Sequence, residues 1–361
     1  MFSEIPPFLM SVAGAGLACW VIIITVGLHG TFTLDFDTEA VQKYHKRPVP
    51  RIGGLALLVG LICGGVYHGL EADQELYLAK WAGVAVIPVF LGGVLEDLRK
   101  GMTARDRLLL AFFSATIAHY ELNVGLERID WLWFDTTIIS VPGVTLLLTV
   151  VMVGGLSHAT NIIDGFNGLL LGVTLMTLSA FAWVGYQVND PLLVTYLGIM
   201  LGAVLGVFLF NFPSGRIFLG DGGAYVIGFF LAVFALILVK KHLVVSPWFP
   251  LTVLAYPVME TLFSMFRKKV VSRIPVMAPD RYHFHMLVHD NLVANVRFRW
   301  MKNSNATTAV IMWGVYLFGL VPGVLWWDNT RYLLAAFFII ICLYVVLYLY
   351  LLKRIQSVVN A

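Results

Sequence analysis

Five short strings carry the residues of this chain that could do chemistry. Leu95-Glu96-Asp97-Leu98-Arg99-Lys100-Gly101 puts two adjacent carboxylates at the end of an apolar run, which is costly beside hydrocarbon unless the charge is neutralised. A divalent cation would neutralise both, since Mg²⁺ takes oxygen ligands and shares them with substrate phosphates. Asn161-Ile162-Ile163-Asp164-Gly165-Phe166-Asn167-Gly168 spaces three oxygen-bearing side chains by three, with two glycines freeing the backbone. It lacks the alternating ligands and final glutamate of an EF-hand. In Phe218-Leu219-Gly220-Asp221-Gly222-Gly223-Ala224, backbone N–H groups at a helix start could cradle a phosphate while Asp221 holds a metal. This is not a Walker motif, because GxxxxGK[ST] is absent.

The fourth string is Asp280-Arg281-Tyr282-His283-Phe284-His285. Its two imidazoles share a side only if the segment is extended. No third ligand sits at zinc spacing, so Arg281 with His283 and His285 suits a phosphate or sugar better. The fifth, Lys46-Arg47-Pro48-Val49-Pro50-Arg51-Ile52-Gly53-Gly54, is kept extended by its prolines, and its glycine pair admits close approach of a backbone or ligand. Taken singly, each string also reads as an interfacial charge cluster, an Asp-Gly turn or a polar loop.

The elements that must position these strings are membrane helices. Of 361 residues, 59% are hydrophobic and only 12% charged, and mean hydropathy is +0.85. Soluble domains carry about a quarter charged residues. No Lys/Arg run suggests nucleic-acid binding. Cys19, Cys63 and Cys342 lie in apolar runs without CxxC spacing and read as small buried hydrophobes.

A spanning helix needs roughly 20 apolar residues, because lipid offers backbone groups no partner. About eleven runs qualify: 8–28, 52–70, 79–96, 107–124, 143–160, 168–187, 191–210, 222–239, 247–266, 306–326 and 332–352. The first has no basic stretch before it and reads as a retained span. Only Lys80, Arg128, Lys240, Lys241 and Arg331 fall in one alternate set of loops, while the other basic residues fall in the opposite set. Lys and Arg favour the cytoplasmic side. The expected fold is all-α, a polytopic transmembrane helical bundle in one domain, 1–361, with a periplasmic N-terminus and a cytoplasmic C-terminus. The expected catalytic loops are about 29–51, 97–107, 161–168, 211–222 and 267–305, all on the cytoplasmic side.

The ordered set of strings resembles the polyprenyl-phosphate N-acetylhexosamine-1-phosphate transferases of glycosyltransferase family 4. The likeness runs over about residues 40–290 in the same motif order. Arg51 in the first string and the Asp280-Arg281…His283…His285 form of the last look closer to the bacterial undecaprenyl-phosphate N-acetylglucosamine-1-phosphate transferases than to the peptidoglycan translocase. Two departures stand out. The family's adjacent pair is usually Asp-Asp, where this chain has Glu96, and Met286 follows His285 where a further histidine is common.

The resemblance implies transfer of a sugar 1-phosphate from a UDP-N-acetylhexosamine to a membrane polyprenyl phosphate, releasing UMP and starting a surface polysaccharide such as a lipopolysaccharide O-antigen. It implies Mg²⁺, with Mn²⁺ as a substitute, at a bacterial inner membrane. The implied roles are Asp221 and Asp97 as metal ligands, and Asp97, Asp164 and Glu96 as catalytic groups. Lys100, Asn161, Asn167, Gly220, Arg281, His283 and His285 would bind substrate. A dimer is compatible with the sequence, which fixes no oligomeric state. The rival class is a secondary transporter, whose coupling carboxylates lie near the bilayer midplane in repeated halves. A scaffold that has lost catalysis is a third reading, for which Glu96 is the only hint.

Overall fold

The computed structural model describes the chain except residues 1–4, 36–47, 72–75, 100, 277, 279, 294–303 and 360–361. Its helices, in chain order, are α1 (Ile5–Ile24), α2 (Val26–Thr33), α3 (Gly53–Glu71), α4 (Leu76–Arg99), α5 (Ala104–Glu121), α6 (Leu132–Phe134), α7 (Val144–Ile163) and α8 (Leu169–Gln187). They continue with α9 (Pro191–Asn211), α10 (Gly220–Lys241), α11 (Trp248–Val253), α12 (Ala255–Phe266), α13 (Phe284–Val288), α14 (Ser304–Leu325) and α15 (Thr330–Val359). A two-residue antiparallel pair, Leu34–Asp35 with Val49–Pro50, is the strand structure among the described residues. The all-α polytopic bundle is what composition and periodicity predict.

Among the described residues, α1, α3, α7, α8, α9, α10, α14 and α15 are long and apolar enough to cross a membrane. That is eight, against eleven expected. The fourth run forms α5, whose charged ends (Arg105, Asp106, Arg107 and Glu121) dilute its apolar stretch. The ninth run, 247–266, is two helices that meet at Leu254. Pro257 has no N–H to give the carbonyl of Val253, so one helix cannot run through. The first run breaks at Thr25 and continues as α2.

α10 is the axis of the bundle. It packs against α3, α4 and α7, and almost all of its residues are buried. Close approach needs small residues: a Cβ on Gly93 would lie 2.3 Å from the Gly222 nitrogen, and one on Gly54 would lie 2.4 Å from the Gly223 nitrogen. The glycine pair after Pro50 thus admits another backbone.

Polar loops sort to two ends. At one end Arg128 donates to the carbonyls of Leu243 and Val245, Trp248 donates to the Ile129 carbonyl, and Lys241 and His242 hold Asp190, the N-cap of α9. The strings with chemical potential gather at the other. The two sets match the alternate loops separated by their Lys and Arg content.

Candidate functional site

The site is built where α4 ends and α10 begins. The segment Pro50–Gly54 is laid against the start of α10 by backbone bonds: Phe218 N–H to the Pro50 carbonyl (2.8 Å), Gly53 N–H to that of Phe218 (2.9 Å) and Gly54 N–H to that of Leu219 (2.7 Å). This register delivers Arg51 to two acids. Its Nε lies 3.2 Å from Asp97 Oδ1, and its Nη2 pairs with Asp221. Burial works against the Arg51 charge, but Asp221 and then Asp97 raise its pKa above the usual value.

Asp97, near the end of α4, accepts the amide protons of Asp221 and Gly222, both at 2.9 Å. Asp221, in the first turn of α10, takes a second guanidinium from Arg107 of α5. Thr103 and Asp106 close a reciprocal capping box that fixes the start of α5, and with it Arg107 one residue on. Gly220 makes the turn between them with φ +77°, and a Cβ there would meet the Arg51 carbonyl at 2.4 Å.

Asp164 ends α7 and faces a cavity of about 120 Å³, lined also by Asp35, Arg51, Asn161, Phe166 and Asp221. Among the described residues nothing hydrogen-bonds its carboxylate, and burial pushes its pKa up to about 7 against the pull of Arg51. Three carboxylates from three separate strings therefore converge: Asp97, Asp164 and Asp221.

The remaining expected residues divide. Asn161 lines the cavity, as does Gly220. Asn167 lines it too, but its amide donates to the Pro213 carbonyl (3.3 Å) and its N–H to Asn305 Oδ1 (2.5 Å), which ties loops together. Glu96 turns to the loop beyond α4, accepting the Met102 N–H at 2.9 Å. Lys100 lies outside the described residues. Arg281 is exposed, with no hydrogen bond or ion pair among the described residues.

The histidine string is extended at His283, and the two imidazoles stack 5.5 Å apart with 3° between planes. His283 Nδ1 bonds Glu260 (2.8 Å), which also accepts the Phe284 N–H and the Tyr344 hydroxyl. His285 Nδ1 bonds the Tyr256 hydroxyl (3.0 Å), while its Nε2 has no partner among the described residues and lies 3.1 Å from where a Gly165 Cβ would be. Burial pushes His285 down to about 3, so it stays neutral.

Sequence reasoning missed Arg107, counted only toward topology, and Glu260, a carboxylate inside an apolar run. The latter carried a signal, because a charge at that depth is kept only with partners.

The donor set can be tested against a metal. Asp164 and Asp221 face one cavity with the amide of Asn161, and no thiolate is near. Such oxygen donors fit a hard cation that keeps waters and borrows phosphate oxygens. Among the described residues no three His, Cys, Asp or Glu side chains form a ligand group. Mg²⁺ in phosphate sites needs only one or two carboxylates. Asp97, expected to share the metal, has both oxygens engaged by the amides of Asp221 and Gly222, and the Asp221 oxygens are each paired with a guanidinium. Among the described residues Asp164 is therefore the open carboxylate of the three, and a cation at Asp221 would take the place of Arg51 or Arg107.

The profile of the family described as glycosyl transferase family 4 matches residues 80–239, which hold Asp97, Asp164 and Asp221. Over that stretch the chain is similar to that family. A probable undecaprenyl-phosphate N-acetylglucosaminyl 1-phosphate transferase of Bacillus subtilis is 27% identical over 252 residues, 69% of this chain and 68% of that protein. An undecaprenyl-phosphate alpha-N-acetylglucosaminyl 1-phosphate transferase of Thermotoga maritima is 25% identical over 254 residues, 69% of this chain and 71% of that protein. A phospho-N-acetylmuramoyl-pentapeptide-transferase of Rubrobacter xylanophilus is 26% identical over 341 residues, 86% of this chain and 99% of that protein. The resemblance drawn from the ordered strings is shown, and the relatives are bacterial sugar-1-phosphate transferases.

Proposed function

We propose that this chain transfers an N-acetylhexosamine 1-phosphate from a UDP-sugar to undecaprenyl phosphate at the cytoplasmic face of a bacterial inner membrane. One observation carries this reading: Asp97, Asp164 and Asp221 converge with Arg51 and Arg107 at one end of a membrane bundle. A soluble nucleotide sugar and a membrane-bound phosphate can meet only at such an end. A transporter would hold its carboxylates near mid-membrane.

A phosphate monoester has its second pKa near 6, so the acceptor is mostly dianionic at pH 7 and needs no strong base. A lipid phosphate oxygen forms a bond to the phosphorus bearing the sugar as the bond to UMP breaks, and UMP leaves with that electron pair. The barrier lies in bringing two anions into line. Arg51, Arg107 and Arg281 supply positive charge for this. Asp221 and Asp164 would hold Mg²⁺, with Asn161 beside them, and the ion when bound neutralises diphosphate oxygens. Asp97 orients the start of α10 and Arg51. Its engaged oxygens support direct displacement over a phospho-Asp97 intermediate, and labelled phosphosugar trapped on Asp97 without lipid would overturn that.

N-acetylglucosamine is the first donor to try, and the product would begin a lipid-linked surface polysaccharide. The test is UMP release by the detergent-purified protein from a panel of UDP-sugars, with and without undecaprenyl phosphate, Mg²⁺, Mn²⁺ or chelator. Release that needs both lipid and metal is expected. No release from any donor, or release indifferent to lipid, would refute the reading.

A further inference from the structure

Tyr225 lies one turn beyond Asp221 on α10 and is almost wholly buried, at 1% exposure. A phenol at that depth is retained only with partners for its hydroxyl. Among the described residues it has one, on α7: His158 Nδ1 at 3.2 Å. His158 and Asn161 are three residues apart and so share one helix face. The His158 ring meets the phenol ring edge-on, centroids 5.1 Å apart at 90°.

The other side of the Tyr225 ring serves α5. The Arg107 guanidinium carbon lies 5.9 Å from the ring centroid, within cation–π range, while its Nη1 pairs with Asp221. One side chain of α10, the helix that supplies Asp221, thus contacts both α5 at Arg107 and α7 at His158. The arrangement leaves polar atoms unpaired. Among the described residues, His158 Nε2 is buried and unpartnered, as is Arg107 Nε. Two unpaired buried nitrogens beside one ring argue for a role other than stability.

We infer that Tyr225, fixed by His158, is a positioning residue that aims Arg107 at an oxygen of the acceptor phosphate. This rests on the transferase reading for the identity of the phosphate but not for the geometry. The ring keeps the guanidinium on one bearing when the Asp221 oxygens are claimed by another cation. It adds no group to the reaction, so its loss should alter phosphate binding rather than nucleotide binding.

The test uses Tyr225→Leu, which removes ring and hydroxyl, and Tyr225→Phe, which keeps the ring. For the Leu variant we expect about a tenfold rise in KM for undecaprenyl phosphate and in Kd for inorganic phosphate, the size of one cation–π contact. KM for the UDP-sugar should move less than about twofold. The Phe variant and His158→Ala should each show roughly a threefold effect. In a double-mutant cycle with Arg107→Gln, which removes the cation, the Leu effect should vanish, because both changes break one interaction. Additive effects, equal rises in both KM values, or a Phe variant unchanged in both phosphate readouts would overturn the inference. If Leu does not fold, Phe and His158→Ala carry the cycle. Failure of the transferase reading shows separately, as absent UMP release by the unaltered protein, while inorganic phosphate binding still reports on Tyr225.

Discussion

The Asp97 carboxylate accepts the amide proton of Asp221 at 2.9 Å and, through its other oxygen, that of Gly222 at the same distance. The last turn of α4 therefore caps the first turn of α10, and a negative charge sits at the positive end of a 22-residue helix dipole. Asp97→Asn keeps one acceptor but turns an N–H₂ toward a donor and strips Arg51 of a counter-charge. A lower melting temperature and about a hundredfold or greater loss of UMP release are expected. Unchanged values of both would refute the capping role.

Arg51 bridges Asp97 and Asp221 through different nitrogens. Lysine offers one point charge and cannot span both. Arg51→Lys should lower transfer about tenfold to a hundredfold, as lost charge-assisted bonds of roughly 1.5–3 kcal/mol imply. A rate within twofold of normal would mean that the bridge is dispensable.

Gly220 has φ +77°, and a Cβ would also come 2.6 Å from Asp97 Oδ2. Gly220→Ala should reduce the yield of monodisperse protein on size exclusion in detergent. Gly198→Ala is the control, since nothing lies within 4 Å of its Cβ position, and it should match the parent.

Glu260 is 1% exposed and holds His283, the Phe284 N–H and Tyr344. Removing one member of such a buried cluster costs about 3–5 kcal/mol. Glu260→Ala should unfold at markedly lower denaturant than Glu260→Gln, which keeps an acceptor. Equal midpoints for the two would argue against the cluster as an anchor for the histidine string.

His285 is held neutral in the folded state, pushed down to about 3 by burial, while an unfolded chain protonates near 6.5. Its folded value is the lower one, so the unfolded state takes up the extra proton. Stability is complete above about pH 6.5 and falls as pH drops toward 3, by up to about 1.4 kcal/mol per pH unit. His285→Gln should flatten the decline in melting temperature between pH 6.5 and 4.5. Parallel curves would show that His285 does not govern it.

Charged or polar strings in an apolar chain announce themselves, which is why Asp97, Asp164, Asp221 and the His283–His285 pair were legible before any fold. Their order also carried the family. What the strings do to one another was not legible. That Asp97 spends its oxygens on the amides of Asp221 and Gly222 depends on an approach of α4 to α10 that only packing decides. Tyr225 and His158 were invisible for a simpler reason: an aromatic and an imidazole inside helical runs look like core. The break at Leu254 could have been anticipated from Pro257, whose missing N–H falls in the middle of the ninth run.

The burial of α10 bears on how the protein meets different membranes. Bilayers vary in thickness, and helices answer by tilting or by dragging lipid with them. Those that face lipid respond first, and α10 faces almost none. Its shell of α3, α4 and α7 stands between Asp221 and the acyl chains. Lipid composition should therefore shift how the outer helices lean while leaving the acidic end of α10 in register, so that one arrangement of Asp97, Asp164 and Asp221 serves membranes of differing make-up.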